Sequence, residues 1–378
     1  MKRCWLHIGM HKTGSSSIQA NLAHDTIPGW CFLTVGRKKN IGQYLYAMLA
    51  TEPADFHTFV KQGWTPRQVA REGERLRGKL EKAIRQSRAE NLILSAETLS
   101  IVGRPGIGKL GEFLRPLCDE VRVIGYVRPP IGFKTSHFQQ RIKHGVGSFD
   151  IGEIRTRYRN RFRKFDKVFG RANVILRKFD PATFPERCVV RDFHHQLGMP
   201  EPAPDSVSRS NESLSREACG ILYAYRKFGP GFGVGPGVIA ENVRLIAPLF
   251  SMGGEKFRVS RKVLDAGLIL DAEDIAWMER RLGDPLDEET RNEESEITCE
   301  EDLLRITRAS CEEYAARFQE LHGIRIPHEQ LPTDEIVDPR QVAAFVEYCR
   351  SRVRGRFRLA VLQGILGRFR GGTMPPVT

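Results

Sequence analysis

A chain of 378 residues, 40% hydrophobic and 28% charged, is long enough for one large domain with additions or for two modest ones, and its composition is that of a globular protein. No apolar run approaches the roughly 20 residues of a spanning helix, and the stretch 4–10 is too short, and too soon followed by His11 and Lys12, for a secretory leader, so the expected compartment is the cytosol. The formal net charge of +13 points to anionic partners (nucleic acid, membrane phosphates, a phosphorylated or sulfated cofactor, an acidic acceptor) without choosing among them.

In chain order, residues 4–9 read as a buried strand that runs into a small-residue loop and a helix start. Residues 68–87 carry a charged helical pattern, 91–95 a second strand and 108–117 a short packing helix. Residues 121–127 and 173–176, rich in Val and Ile, are further strands. Strands alternating with helices predict a parallel α/β sheet with helices on both faces. The second half is mostly helical, with helices at 185–197, 213–227, 272–282 and 303–321. A glycine-rich loop at 229–237 and an acidic linker at 291–302 interrupt it. The eight cysteines are scattered without zinc or redox spacing, which predicts reduced, mostly buried thiols and no metal.

Two segments carry chemistry. The first is Gly9-Met10-His11-Lys12-Thr13-Gly14-Ser15-Ser16-Ser17, between the first strand and the helix that follows. Glycines let backbone N–H groups approach an anion, the helix N-terminus adds its positive dipole end, and a lysine and hydroxyls complete a cradle. It is not a Walker A loop, because Lys12 precedes Gly14 and no Gly-Lys-Ser/Thr closes the pattern. The plainer alternative is a serine-rich helix cap. The second segment is Arg128-Pro129-Pro130 at the end of strand 121–127, with Ser136 about two turns into the next helix. Open α/β sheets bind ligands at the carboxyl ends of their strands, and a guanidinium with a hydroxyl suits a terminal phosphate. Taken singly, Arg128 is equally a surface charge and Ser136 a plain helical serine.

The run HIGMHKTGSSSIQ resembles the phosphosulfate-binding loop of sulfotransferases that use 3′-phosphoadenosine 5′-phosphosulfate (PAPS), in its bacterial form. The segment YVRPPIGFKTS resembles the same family's 3′-phosphate motif. Residues 169–180, 192–198 and 211–215 add weaker resemblance, so that it spans about 1–285. It implies a P-loop-like fold and a PAPS donor. It gives Lys12 to the bridging and leaving oxygens, Thr13, Gly14, Ser15, Ser16 and Ser17 to the 5′-phosphate, and Arg128 and Ser136 to the 3′-phosphate. The segment 211–215 would then close over the nucleotide. The plainer reading of 211–215 is an N-cap at Ser213 or Ser215.

Sulfuryl transfer passes a planar group between two oxygens in line, so positioning and electrostatic stabilisation dominate and no metal is expected. An acceptor hydroxyl or amine needs a general base. Glu97, ending the strand 91–97, is the first candidate, with a purely structural role as its alternative, and His11 is the second. Lys134, Arg141, Lys143 and His144 are candidates for a basic rim around an acceptor such as a glycan, a lipid headgroup or a small metabolite. Two other classes compete: a P-loop-like kinase or NTPase, and a noncatalytic nucleotide- or membrane-binding protein.

The expected division is a sulfotransferase-like domain at 1–285, an acidic linker and helix at 286–338, and a basic segment at 339–378. The arginines of that last segment alternate with Phe357, Leu359, Val361 and Leu362. A basic amphipathic helix can lie on the inner membrane face or pack on the domain. Its aromatics form no nucleic-acid reading module.

Overall fold

The computed structural model describes residues 1–10, 12–35, 40–203, 207, 213–288 and 296–370, with side chains as far as Arg354. In chain order the elements are β1 (Arg3–Gly9), α1 (Ser15–His24), β2 (Trp30–Phe32), α2 (Gly42–Leu49), α3 (His57–Gln62), α4 (Pro66–Gln86) and β3 (Asn91–Ser95). There follow α5 (Arg104–Leu114), β4 (Glu120–Val127), α6 (Pro130–Lys143), α7 (Tyr158–Phe169), β5 (Val174–Lys178) and α8 (Val189–Leu197). The remainder is α9 (Arg216–Phe228), α10 (Val238–Ile246), α11 (Arg261–Leu282), α12 (Glu300–Leu304), β6 (Ile306–Thr307), α13 (Arg308–His322), β7 (Ile336–Val337) and α14 (Pro339–Arg370). Contacts group them into two compact units, one of residues 1–138, 150–211 and 261–292, the other of 139–149, 212–260 and 293–378.

The first unit is an α/β fold. Its sheet has the order β2-β3-β1-β4-β5, and every pairing is parallel. The reason is legible in β1, where Cys4, Trp5, Leu6, His7 and Ile8 are all buried, on both faces. A strand covered on both sides must sit in the middle of a sheet flanked by helices. One face is packed by Trp5, Ile93, Ile124 and Tyr126 against Ile18 and Leu22 of α1 and Phe193 and Leu197 of α8. On α4, Pro66 opens the helix and Thr65 forms a capping box with Gln68. Its buried stripe Val69, Gly73, Leu76, Leu80 and Ile84 keeps the helical period.

Three of the four predicted strands sit within a residue of their expected limits, and β5 continues to Lys178. The structure adds β2, a half-buried three-residue edge strand. It also adds helices α2, α3, α7 and α10, and it extends the expected 272–282 helix back to Arg261. Part of the acidic linker is helical, at α12.

The second unit is helical, with one antiparallel pair, β6 and β7. Ser215 caps α9, its hydroxyl accepting the Ala218 N–H at 3.2 Å. Buried Arg350 of α14 pairs with Glu241 and donates to the Tyr225 hydroxyl (2.8 Å) and to the carbonyls of Gly231 (2.9 Å) and Phe232 (3.0 Å). Arg350 of the basic segment is therefore a clamp on the glycine-rich loop, not part of a solvated face. The apolar residues on which the membrane reading rests, from 357 onward, lie outside the described side chains.

Candidate functional site

Because the strands are parallel, β1, β3 and β4 deliver their carboxyl ends to one edge of the sheet. The register pairs His7 with Ser95 and Gly9 with Tyr126. Lys12, Glu97 and Arg128 therefore leave the sheet at that same edge, each just beyond its strand.

The loop after β1 is held from within. The buried Thr13 hydroxyl donates to the Met10 carbonyl at 2.8 Å, so this hydroxyl serves the turn itself. Lys12 (φ 64) and Gly14 (φ 78) are left-handed on either side of it. A lysine in that region costs about 1–2 kcal/mol, and such outliers gather where a binding loop dictates the backbone. Gly14 has a second reason to be glycine: a Cβ there would stand 2.4 Å from Cγ1 of Val189. Gly14 is also the N-cap of α1, with no side-chain cap and no acidic residue in the first turn. The first N–H groups of a helix have no intrahelical acceptor, and their partial positive charge favours an anion. Ser15 is buried with its Oγ unpartnered, Ser16 is exposed and Ser17 half-buried. His11 lies outside the described residues.

Arg128 closes this loop from the neighbouring strand. Its Nη1 donates to the Lys12 carbonyl at 2.7 Å, and its own carbonyl accepts the Tyr158 hydroxyl at 2.6 Å. Burial pushes its pKa down, while the charge of Glu288 pulls it up. Helix α6 begins two residues later. Gly132 and Ser136, four apart, share a face of α6, and a Cβ on Gly132 would stand 3.1 Å from the Arg128 Nε and 2.7 Å from the Glu288 Oε1. Ser136 is thus one turn below this group and is itself buried.

Beneath the loop lies a buried polar set that the sequence did not advertise. The His7 Nδ1 is 2.7 Å from Ser95 Oγ, and Gln19 donates to the same Oγ at 3.1 Å. The His7 Nε2 is buried and unpartnered. A Cβ on Gly9 would lie within 4 Å of this atom, Thr13 Oγ1 and Ser15 Oγ alike. Burial pushes the His7 imidazole down to about 4, against the opposing charge of Glu97. Glu97 opens a single 3-10 turn, Glu97–Ser100, directly after β3. From α7, Lys164 Nζ donates to the carbonyls of Ser100 and Val102, both at 2.6 Å, and ties that turn down. Burial pushes Lys164 down to about 7.

The expected basic rim is corrected at two positions. Lys134 is fully buried and paired with Asp271 at 2.8 Å, and Asp271 also accepts from Arg155 at 2.6 Å. Lys143 is buried too, over the Phe250 ring. A cation becomes structural when a distant carboxylate meets it inside, and Asp271 is 137 residues away.

The site thus joins Lys12, Gly14, Ser15, Arg128 and the α6 N-terminus, with Glu97 at the same edge. Among the described residues no group of three or more His, Cys, Asp or Glu side chains gathers to hold a metal, and no helix is long and apolar enough to cross a membrane. No family model matches the chain, and no curated protein matches it. A crystal structure of a sulfotransferase from Alicyclobacillus acidocaldarius is similar at 14% identity, over 60% of this chain and 93% of that one, with a TM-score of 0.31. Such a likeness is distant and bears on neither the reaction nor the substrate.

Proposed function

We propose that the protein is a sulfotransferase that takes a sulfuryl group from PAPS and places it on a hydroxyl or amine acceptor. One observation carries the reading: two anion-seeking helix N-termini, α1 and α6, stand at the same sheet edge, and Arg128 from the second ties the backbone of the first through Lys12. A donor with phosphates at both ends of one nucleoside needs two such sites, whereas a nucleoside triphosphate needs one. In this reading the α1 loop with Ser15, Ser16 and Ser17 takes the 5′-phosphate, and Arg128, Ser136 and the α6 amides take the 3′-phosphate.

The bond from sulfur to the acceptor forms as the bond from sulfur to the phosphate oxygen breaks. Negative charge grows on that leaving oxygen, where the Lys12 ammonium and the loop N–H groups stabilise it. Glu97 takes the proton that the acceptor loses. Calorimetry tests the reading. 3′,5′-Adenosine bisphosphate should bind more tightly than 5′-AMP or ADP, and equal affinities would remove the second phosphate site and the reading with it.

A further inference from the structure

The N-terminus of α6 already holds an anion, supplied by the chain itself. The Glu288 carboxylate accepts the Ile131 N–H at 2.7 Å and the Gly132 N–H at 2.9 and 3.1 Å. α6 is 14 residues long, so its N-terminal dipole is well developed. Gly132 makes the approach possible: a Cβ there would stand 2.7 Å from Glu288 Oε1 and 3.1 Å from Arg128 Nε. The carboxylate therefore sits on bare amides, with the Arg128 guanidinium beside the same Cβ position. A carboxylate on two backbone N–H groups beside an arginine is the chemistry by which such a site takes a phosphate oxygen.

The chain delivers Glu288 to this place deliberately. After α11 ends, Leu286 is buried and its N–H is fixed by Glu279 Oε1 at 3.0 Å. Asp287 then reaches Lys178 at 3.2 Å. Glu288 follows two residues after the Leu286 anchor, so its side chain can leave the amides without undoing that anchor only by turning about its own bonds. Burial pushes the Glu288 carboxyl up, against the lowering pull of the Gly132 and Ile131 N–H groups and of the charges on Arg128 and Lys178. The occupant is thus held by amides but held against a desolvation cost, as suits a group that can be exchanged.

We propose that Glu288 is an internal competitor for the 3′-phosphate, occupying the α6 amides in the free protein and setting the affinity of the site for the donor. The inference rests on the donor reading given above. A ligand must then displace a carboxylate that makes charge-assisted hydrogen bonds to two amides.

Calorimetric titration of 3′,5′-adenosine bisphosphate and of 5′-AMP into the full chain and its Glu288→Ala, Glu288→Gln and Asp287→Asn variants tests it. The expected result is bisphosphate binding roughly tenfold to a hundredfold tighter in both Glu288 variants, with 5′-AMP unchanged. Asp287→Asn, which removes the same charge next door, should change neither. An equal gain for both nucleotides in the Glu288 variants, or a gain in Asp287→Asn, would show general charge relief and overturn the competitor role. Tighter bisphosphate than 5′-AMP binding in the wild type, unmoved by either Glu288 variant, would overturn the inference and leave the donor reading standing. No preference for the bisphosphate in any variant would overturn both. Should Glu288→Ala fail to fold, the near-isosteric Glu288→Gln carries the test.

Discussion

The N-termini of α1 and α6 are the same device used in two ways. Both follow a central strand of one parallel sheet, and both have a glycine where a side chain would intrude. α1 has no side-chain cap and no acidic residue in its first turn, whereas the first amides of α6 hold the carboxylate of Glu288. The first loop is tied by the Thr13 hydroxyl to the Met10 carbonyl and by Arg128, 116 residues on, to the Lys12 carbonyl. The second depends on a side chain that arrives from 156 residues away. A helix N-terminus alone therefore says little about ligand affinity, because what already sits on it decides how strongly a newcomer binds.

The contrast is broken most severely at the chemistry. If only the α1 end meets the transferring group, Lys12→Ala should lower turnover at saturating donor about 10²–10³-fold, and Glu97→Gln should lower it about 10²–10⁴-fold. Both should leave bisphosphate affinity nearly intact. Arg128→Gln should do the reverse and weaken binding first. Steady-state turnover set beside calorimetry separates these outcomes, and near-native turnover in Lys12→Ala would end its catalytic role.

Next come the two glycines. Gly14→Ala forces a side chain into left-handed backbone and into Val189, so it should cost roughly 2–4 kcal/mol of unfolding free energy. Gly132→Ala meets side-chain atoms alone, the Glu288 Oε1 at 2.7 Å and the Arg128 Nε at 3.1 Å, and gains helix propensity in return, so it should cost only about 1 kcal/mol. Denaturant midpoints decide, and equal losses would erase the difference drawn between the two ends.

Smallest is a difference in sign with pH. The His7 imidazole titrates near 6.5 when unfolded and about 4 when folded. The unfolded chain then binds more protons between those values, and stability contributed by neutral His7 is lost as pH falls through them, by up to roughly 3 kcal/mol. Glu288 is raised on folding, so the folded chain binds more protons there and acidification favours the fold at that site. Urea midpoints from pH 7 to 4 should fall less steeply in His7→Gln and more steeply in Glu288→Gln than in the wild type.

The sheet was legible because its strands are short, apolar on both faces and bounded by glycine, proline or charge. β2 escaped notice because three half-buried residues at an edge show no period. The loop around Lys12 and Gly14 and the strand-end Arg128 could be named from local sequence, since a strand turning into a helix is a local event. Glu288 could not, and neither could the burial of Lys134. Each is decided by a carboxylate and a cation or amide more than a hundred residues apart, and nothing near either partner records the pairing. His7 was equally hidden, as one polar residue within an apolar strand.

The placing of Glu288 also has a metric side. Arg281, near the end of α11, is fixed to Asp166 and to the Val174 carbonyl, and Leu286 to Glu279, so the tether from helix to carboxylate has a set number of residues. One residue of extended chain spans about 3.3 Å, which exceeds the length of any hydrogen bond that Glu288 makes. An insertion or deletion between 283 and 287 would therefore carry the carboxylate off its amides without altering a single residue of the sheet edge. The spacing of this short tether works as a ruler, and a change of one in its length would tune the site as strongly as a change of charge.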